Sequence, residues 1–318
     1  MNQMPSFRTM TDAIKERQEI GIALSLCVIV LGGFVFFYPK PAPAPASVTV
    51  ATSTAPDPFA HIPLRGKAAI VLDLSTGQPI FERNADAQLP LASLTKLLTT
   101  YAALSALSST TPVTITPEAL AMDGDYGLAD GETFKFEDLA RFALVSSSND
   151  AAEAIAIAAQ NHMAQSTELL LKNAAAAAHL SQTYAVNGTG LDESETLSGG
   201  YGSARDVARL AGELLTAAPD IAHATTLPSV TVTSLEGAEH TLSNTDIDVE
   251  HFPGLLLSKT GYTDLAGGNL AIVIDAGINH PVAVVVLGST EEARFTDVNA
   301  LVNATLAHFA GTKGPYGS

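Results

Sequence analysis

The sequence predicts an α/β (α+β) protein: one antiparallel sheet flanked by helices, interrupted by a mainly helical insertion, with a single transmembrane helix ahead of it. Three observations carry this. Strand patterns cluster at both ends of the globular part, near 68–83 and from 229 to 287, while 136–217 reads mostly as helix. Strands at both ends around helices suggest a split arrangement in which the two ends share one sheet. Hydrophobic residues form 47% of the 318, ample for a sizeable core, and an uncharged apolar run precedes the globular part.

That run, 20–38, is long enough to cross a bilayer as a helix. Arg8, Lys15 and Arg17 precede it and only Lys40 follows closely, so the positive-inside rule leaves 1–19 as a cytoplasmic tail and the remainder outside. A cleaved signal peptide competes, because Ala44-Pro45-Ala46 resembles a small-residue cleavage site. The run exceeds a usual signal core and prolines crowd that site, which favours a retained anchor in the cell membrane. Residues 39–62 alternate proline with alanine, serine and threonine and read as an extended spacer. A catalytic domain is expected over 63–310 and a short tail over 311–318.

Within the domain, 68–73 and 79–83 read as strands around Ser75-Thr-Gly-Gln78, a hairpin signal. A helix follows from about Ser93, marked by Leu94, Leu97, Leu98 and Tyr101. Further helices are expected over 136–145, 150–162, 166–180 and 203–217; the alanine run 174–178 suits helix, and Ser203 with Asp206 forms an acidic variant of the capping box. Strands return at 229–234, 254–260, 269–275 and 281–287, and a closing helix covers 291–309.

Three short segments carry chemistry. In Leu91-Ala-Ser-Leu-Thr-Lys96, a serine at a helix N-terminus lies three residues before a lysine, so both share a face. A lysine whose pKa is lowered can take the serine's proton, and the helix end favours developing negative charge. In Ser147-Ser148-Asn149, between two helical patterns, Ser147 offers a proton relay and Asn149 an amide for both the lysine and a substrate carbonyl. In Lys259-Thr260-Gly261, a strand carries a cation and a hydroxyl, and then a glycine that admits close approach by another backbone. This suits β-addition of a peptide whose carboxylate Lys259 and Thr260 hold. Alone, each has a plain structural reading: an N-cap with a solvated lysine, a cap cluster for the next helix, and a turn after a core strand.

Each triplet occurs once, in the order and broad spacing of acyl-serine penicillin-interacting enzymes. The chain resembles the serine-type D-Ala-D-Ala carboxypeptidases, the low-molecular-mass penicillin-binding proteins, from about Ala68 to His308. Asp130-Gly-Glu-Thr leading into Ser-Asn-Asp-Ala-Ala, Asn187-Gly-Thr-Gly-Leu191, Ser203-Ala-Arg-Asp-Val-Ala and Lys-Thr-Gly-Tyr-Thr-x-x-Ala-Gly extend the likeness. The resemblance implies a DD-peptidase/β-lactamase-like fold. It implies that Ser93 attacks the carbonyl between two terminal D-alanines of a peptidoglycan pentapeptide, with Lys96 as base, Ser147 as relay and Asn149 beside them. The backbone N–H groups of Ser93 and Tyr262 form the oxyanion hole; Lys259, Thr260, Gly261, Tyr262 and Arg294 bind substrate. An ion pair of Arg294 with Glu291 or Asp297 is an equal alternative. β-Lactam antibiotics are implied as ligands, and no cofactor is.

Ser148 stands where the family often has glycine, and Asn244-Thr-Asp246 where Asn-Thr-Asn is common. Three alternatives remain open: a D,D-endopeptidase with identical machinery, a class A-like β-lactamase, and an inactive membrane-tethered wall-binding module. The lactamase requires a separate deacylating glutamate, and 185–195 shows no Glu-x-x-Asn-type loop. A formal charge of −17 argues against nucleic acid as a partner. The single cysteine, Cys27, excludes an intramolecular disulfide and a cysteine-based zinc cage. The eight scattered histidines, without His-Glu-x-x-His, imply no metal role.

Overall fold

The structure, a computed structural model, describes residues 57–124 and 126–312. The expected anchor over 20–38, most of the spacer and the last residues of the tail lie outside them. No described helix is long and apolar enough to cross a membrane.

The described strands are β1 (Ala68–Asp73), β2 (Pro79–Arg83), β3 (Leu89–Pro90), β4 (Pro112–Thr114), β5 (Thr133–Lys135), β6 (Tyr184–Ala185), β7 (Gly200–Gly202), β8 (Ser229–Thr233), β9 (Glu239–Ser243), β10 (Leu255–Thr263), β11 (Gly267–Asp275) and β12 (Pro281–Ser289). The helices are α1 (Thr95–Ala103), α2 (Phe136–Val145), α3 (Asn149–Met163), α4 (Thr167–Ala177), α5 (Ala204–Ala217), α6 (Pro219–Ala224) and α7 (Ala293–Thr312). The principal sheet has five strands in the order β10-β11-β12-β1-β2, and its pairings are all antiparallel. N- and C-terminal segments thus share one sheet, as the strand clusters predict.

Both faces of this sheet are covered. Successive side chains of a strand point to opposite faces, so Ala68, Ile70 and Leu72 enter one core with Leu94, Leu97, Leu98 and the helical insertion. Ala69 and Val71 enter a second core with Phe295, Val298, Leu301 and Val302 of α7. Phe59, within the stretch read as spacer, is buried in that second core and stacks on Phe81 at 5.5 Å. The hairpin expected around Ser75–Gln78 forms because Asp73 Oδ1 accepts the N–H groups of Ser75 (2.8 Å) and Thr76 (3.2 Å).

Helices α2 and α5 begin within a residue of expectation, and Ser203 Oγ accepts the Asp206 N–H as its N-cap. The strand expected at 229–234 forms, yet it joins β9 in a separate two-stranded hairpin and not the principal sheet. Its burial explains this: Val230 and Val232 point inward while Ser229, Thr231 and Thr233 are exposed, whereas the central strands β1, β11 and β12 are buried on both faces. The closing helix runs to Thr312, past the boundary expected for the tail. β9, α6 and the short β3–β7 strands were not expected; two- and three-residue strands leave too little periodicity to read.

Asp297 of α7 closes the seam between the chain entry and β12. Its buried carboxylate accepts the N–H groups of Arg65 (3.0 Å) and Gly66 (2.9 Å) and the Ser289 hydroxyl (2.7 Å). Asp297→Ala strands these donors and is expected to destabilise the fold by about 3 kcal/mol. Urea unfolding checks this; a midpoint unmoved from wild type contradicts it.

Candidate active site

Ser93 lies in a 3₁₀ turn, Ala92–Leu94, that leads directly into α1. It is near the helix start as expected, but it caps nothing, since neither helix has a side-chain cap bond. The turn abuts the edge strand β10. A Cβ on Gly261 would lie 2.9 Å from the Leu91 oxygen and 3.2 Å from the Leu94 nitrogen. The close approach that this glycine permits is therefore by the serine's own turn. Asn269 pins the same turn from β11: its amide donates to the Pro90 and Leu91 carbonyls (both 3.1 Å) and its oxygen accepts from Gly288 N–H (2.7 Å).

Lys96, one turn on, is fully buried. Its Nζ meets three acceptors: Ser93 Oγ (2.8 Å), Asn149 Oδ1 (2.7 Å) and the Thr189 carbonyl (2.9 Å). Burial, and then the charge of Lys259, push its pKa well below that of a free lysine. A neutral amine has two hydrogens and one lone pair. The two carbonyl-type oxygens accept the hydrogens, and the lone pair is left facing the Ser93 hydroxyl. That is the arrangement of a base and its nucleophile.

The Thr189 contact was not foreseen in the sequence. Asn187 Oδ1 gathers Gly190 N–H (2.8 Å), Thr189 N–H (3.2 Å) and the Thr189 hydroxyl (3.1 Å), which folds the loop tightly. Gly190, at φ +80°, packs so closely that a Cβ would stand 2.0 Å from the Ala92 oxygen. The two glycines around Thr189 were the available signal: they mark backbone that must come close to something.

The three consecutive serines after α2 divide the work. Ser146 Oγ bonds back to Phe142 O (2.6 Å) at the end of α2. Ser147 takes the left-handed conformation (φ 61°) that usually falls to glycine just past a helix end, and its Oγ accepts from Lys259 Nζ at 2.9 Å. Ser148 is the N-cap of α3 and accepts the Ala151 N–H (3.1 Å). A side chain is useful at Ser148 because the positive φ falls on Ser147. Asn149 opens α3; its Nδ2 donates to the Asp123 carbonyl (2.6 Å) and lies 3.3 Å from Tyr126 Oη.

Lys259 on β10 is 1% exposed. It donates to Ser147 Oγ (2.9 Å) and to the Thr260 carbonyl (2.8 Å). Burial, with Arg294 adding repulsion, lowers its pKa to about 7 against an opposing pull from Asp246. Thr260 Oγ1 lies 2.6 Å from Thr245 Oγ1. Arg294 is buried and donates from Nη1 to the Gly261 carbonyl (3.0 Å). Asp297, one alternative ion partner, is occupied instead by Arg65, Gly66 and Ser289. Tyr262 follows on β10 and is 47% exposed.

All three triplets therefore meet. Lys96 joins the first to the second through Asn149, Lys259 joins the third to the second through Ser147, and Gly261 packs the third on the first. The result is a serine hydroxyl beside a buried amine, with a second buried cation and a hydroxyl on the adjoining edge strand and the Arg294 guanidinium of α7 bonded to that strand.

A family model described as D-alanyl-D-alanine carboxypeptidase, peptidase S11, matches residues 51–291. D-alanyl-D-alanine carboxypeptidase DacF of Bacillus subtilis is 27% identical over 249 residues, covering 76% of this chain and 62% of that protein. A D-alanyl-D-alanine endopeptidase of Pseudomonas aeruginosa is 31% identical, covering 73% of this chain and 76% of that protein. Among solved structures, penicillin-binding protein D2 of Listeria monocytogenes in its ampicillin-bound form superposes with a TM-score of 0.65 at 28% identity, covering 77% of this chain and 98% of that one. The chain spans 62% of the length of the DacF relative.

The packing of Gly261 on the nucleophile's turn has a direct consequence. Gly261→Ala is expected to displace Ser93 and lower its reactivity toward an acylating probe by about 100-fold, with about 1–3 kcal/mol lost from stability. Acylation kinetics beside thermal unfolding check it; a fully reactive variant shows that the turn tolerates the shift.

Proposed function

The chain belongs to the D-alanyl-D-alanine carboxypeptidase family, peptidase S11, and from that premise we propose that it is a serine D-Ala-D-Ala carboxypeptidase acting on peptidoglycan stem peptides. The observation that carries the reading is the fully buried Lys96 with its Nζ 2.8 Å from Ser93 Oγ. Ser93 Oγ attacks the carbonyl between the terminal D-alanines while Lys96 takes its proton. The C–N bond breaks, an ester forms on Ser93, and the departing D-alanine amine receives a proton by way of Ser147. Water then hydrolyses the ester. Tyr262 follows the glycine that abuts the serine turn; with Ser93 its backbone N–H is the proposed oxyanion hole.

Two hydrogens of the Lys259 ammonium go to Ser147 Oγ and the Thr260 carbonyl. The third, with the Thr260 hydroxyl and Arg294 nearby, suits a terminal carboxylate. The same geometry serves a β-lactam, whose ring carbonyl and carboxylate stand in for those of the substrate. Similarity to an endopeptidase supports a second reading, cleavage of cross-linked D-alanyl peptides. Release of free D-alanine from a pentapeptide, compared with cleavage of a cross-linked dimer and with turnover of a chromogenic cephalosporin, separates carboxypeptidase, endopeptidase and lactamase. The uncharged run 20–38 and its flanking cations support membrane attachment with the enzyme outside the cytoplasm; fractionation of cells tests it.

Ser93→Ala is expected to abolish labelling by a fluorescent penicillin and D-alanine release while changing stability by no more than about 0.5 kcal/mol, because Ser93 caps no helix. Labelling that persists points to another nucleophile. The pH profile follows from the two lysines. Lys96 must be neutral, so acylation rises as pH passes its lowered pKa. Lys259 must be charged, so the second-order rate constant falls as pH rises through about 7. A rate still climbing at pH 9 contradicts this assignment.

A further inference from the structure

The loop over 244–246 touches each part of the carboxylate side of the cleft. Thr245 N–H donates to the Val145 carbonyl (3.1 Å), at the end of α2 just before Ser147, and its hydroxyl meets Thr260 Oγ1 at 2.6 Å. Asp246 Oδ2 accepts the hydroxyl of Ser258, the residue before Lys259. Asn244 folds the loop by accepting the Asp246 N–H (2.8 Å) and donating to the Thr225 and Leu227 carbonyls (2.8 and 2.9 Å). Thr225 Oγ1 in turn accepts the Ser258 N–H (2.9 Å).

Asp246 is 2% exposed. A carboxylate that far from water needs hydrogen bonds or a counter-charge. It has the Ser258 hydroxyl and the Asp248 N–H (2.9 Å), and it faces Lys259 and Arg294. We propose that Asp246 is a positioning residue for carboxylate recognition: through Ser258 it fixes the strand that presents Lys259 and Thr260, and its charge balances the two buried cations. The inference rests on the carboxypeptidase reading, since it takes a terminal carboxylate as ligand.

The charges set the logic. Lys259 and Arg294 are both cationic and both buried; Asp246 is the carboxylate that acts on both, and a ligand carboxylate adds to it. Remove Asp246 and the two cations face each other in the empty cleft. The lysine is the one that can shed a proton, so it becomes neutral at lower pH. Other charges bear on the group. Asp248 faces Asp246, while Glu291, Glu292 and Tyr262 face Arg294. Lys96 faces Lys259 from the nucleophile side.

The test measures binding by calorimetry in a Ser93→Ala background, between pH 5.5 and 9. The ligands are a diacylated tripeptide ending in D-Ala-D-Ala and the same peptide with a C-terminal carboxamide. With Asp246→Asn, affinity for the free acid is expected to fall about tenfold at pH 8 and to hold within twofold at pH 5.5, as the basic limb moves down by about one pH unit. Carboxamide affinity stays unchanged. Ser258→Ala, which keeps the charge but loses the contact, weakens the free acid several-fold at every pH without moving the limb. It also tests the positioning arm should Asp246→Asn fail to fold.

An Asp246→Asn profile identical to that of its parent, or an equal loss for acid and carboxamide, overturns the proposal and leaves Asp246 a purely structural support. So does a Ser258→Ala variant that binds as its parent does. If the Ser93→Ala protein binds neither peptide and wild type is not acylated by a fluorescent penicillin, the carboxypeptidase reading itself falls, and this inference with it. Acylated wild type with an unaltered Asp246→Asn profile sinks this inference alone.

Discussion

A lysine amine taken out of water is the constraint on which the rest of this structure depends. Lys96 has no exposed surface, and in that setting the charged form is costly unless every hydrogen finds an oxygen. Its three acceptors come from three separate segments: the serine turn, the start of α3 and the loop before Leu191. None of these is a neighbour in sequence except Ser93. The fold holds them at hydrogen-bonding distance, and the burial that makes the amine poor as a cation makes it good as a base.

Two buried lysines serve the same three triplets, and the proposed mechanism asks opposite things of them. Lys96 has amide and hydroxyl oxygens around it and another cation as its nearest influential charge. Lys259 is also desolvated and also repelled, by Arg294, but Asp246 pulls the other way. Asp246, hydrogen-bonded to the neighbouring Ser258, offsets part of that effect at Lys259. Environments that push titratable groups apart are what would let the proposed base and electrostatic anchor coexist in one cleft.

Close backbone packing supplies the precision. Gly261, Gly190 and Gly200 all lie where a Cβ would collide with the nucleophile's segment. Their freedom matters less here than their missing side chains. Ser147 shows the converse: a left-handed position past a helix end, natural for glycine, carries a serine because the hydroxyl must reach Lys259. Local preference gives way there to the requirements of the site.

The sequence alone determined the longer elements and the three motifs. Apolar strand-forming runs marked β1, β11 and β12, helical spacing marked α2 and α5, and three triplets marked Ser93, Lys96, Ser147, Asn149, Lys259 and Thr260. These features are local, and local patterns are legible in one dimension. Only the tertiary structure decided what each group meets. It placed β8 in a hairpin of its own, put the Thr189 carbonyl on Lys96, gave Arg294 the Gly261 carbonyl, and set the Asp246 carboxylate on Ser258, next to Lys259 in the chain. Those outcomes rest on contacts between segments up to about a hundred residues apart, and a backbone carbonyl or a buried counter-charge leaves no signature in the residues that will use it.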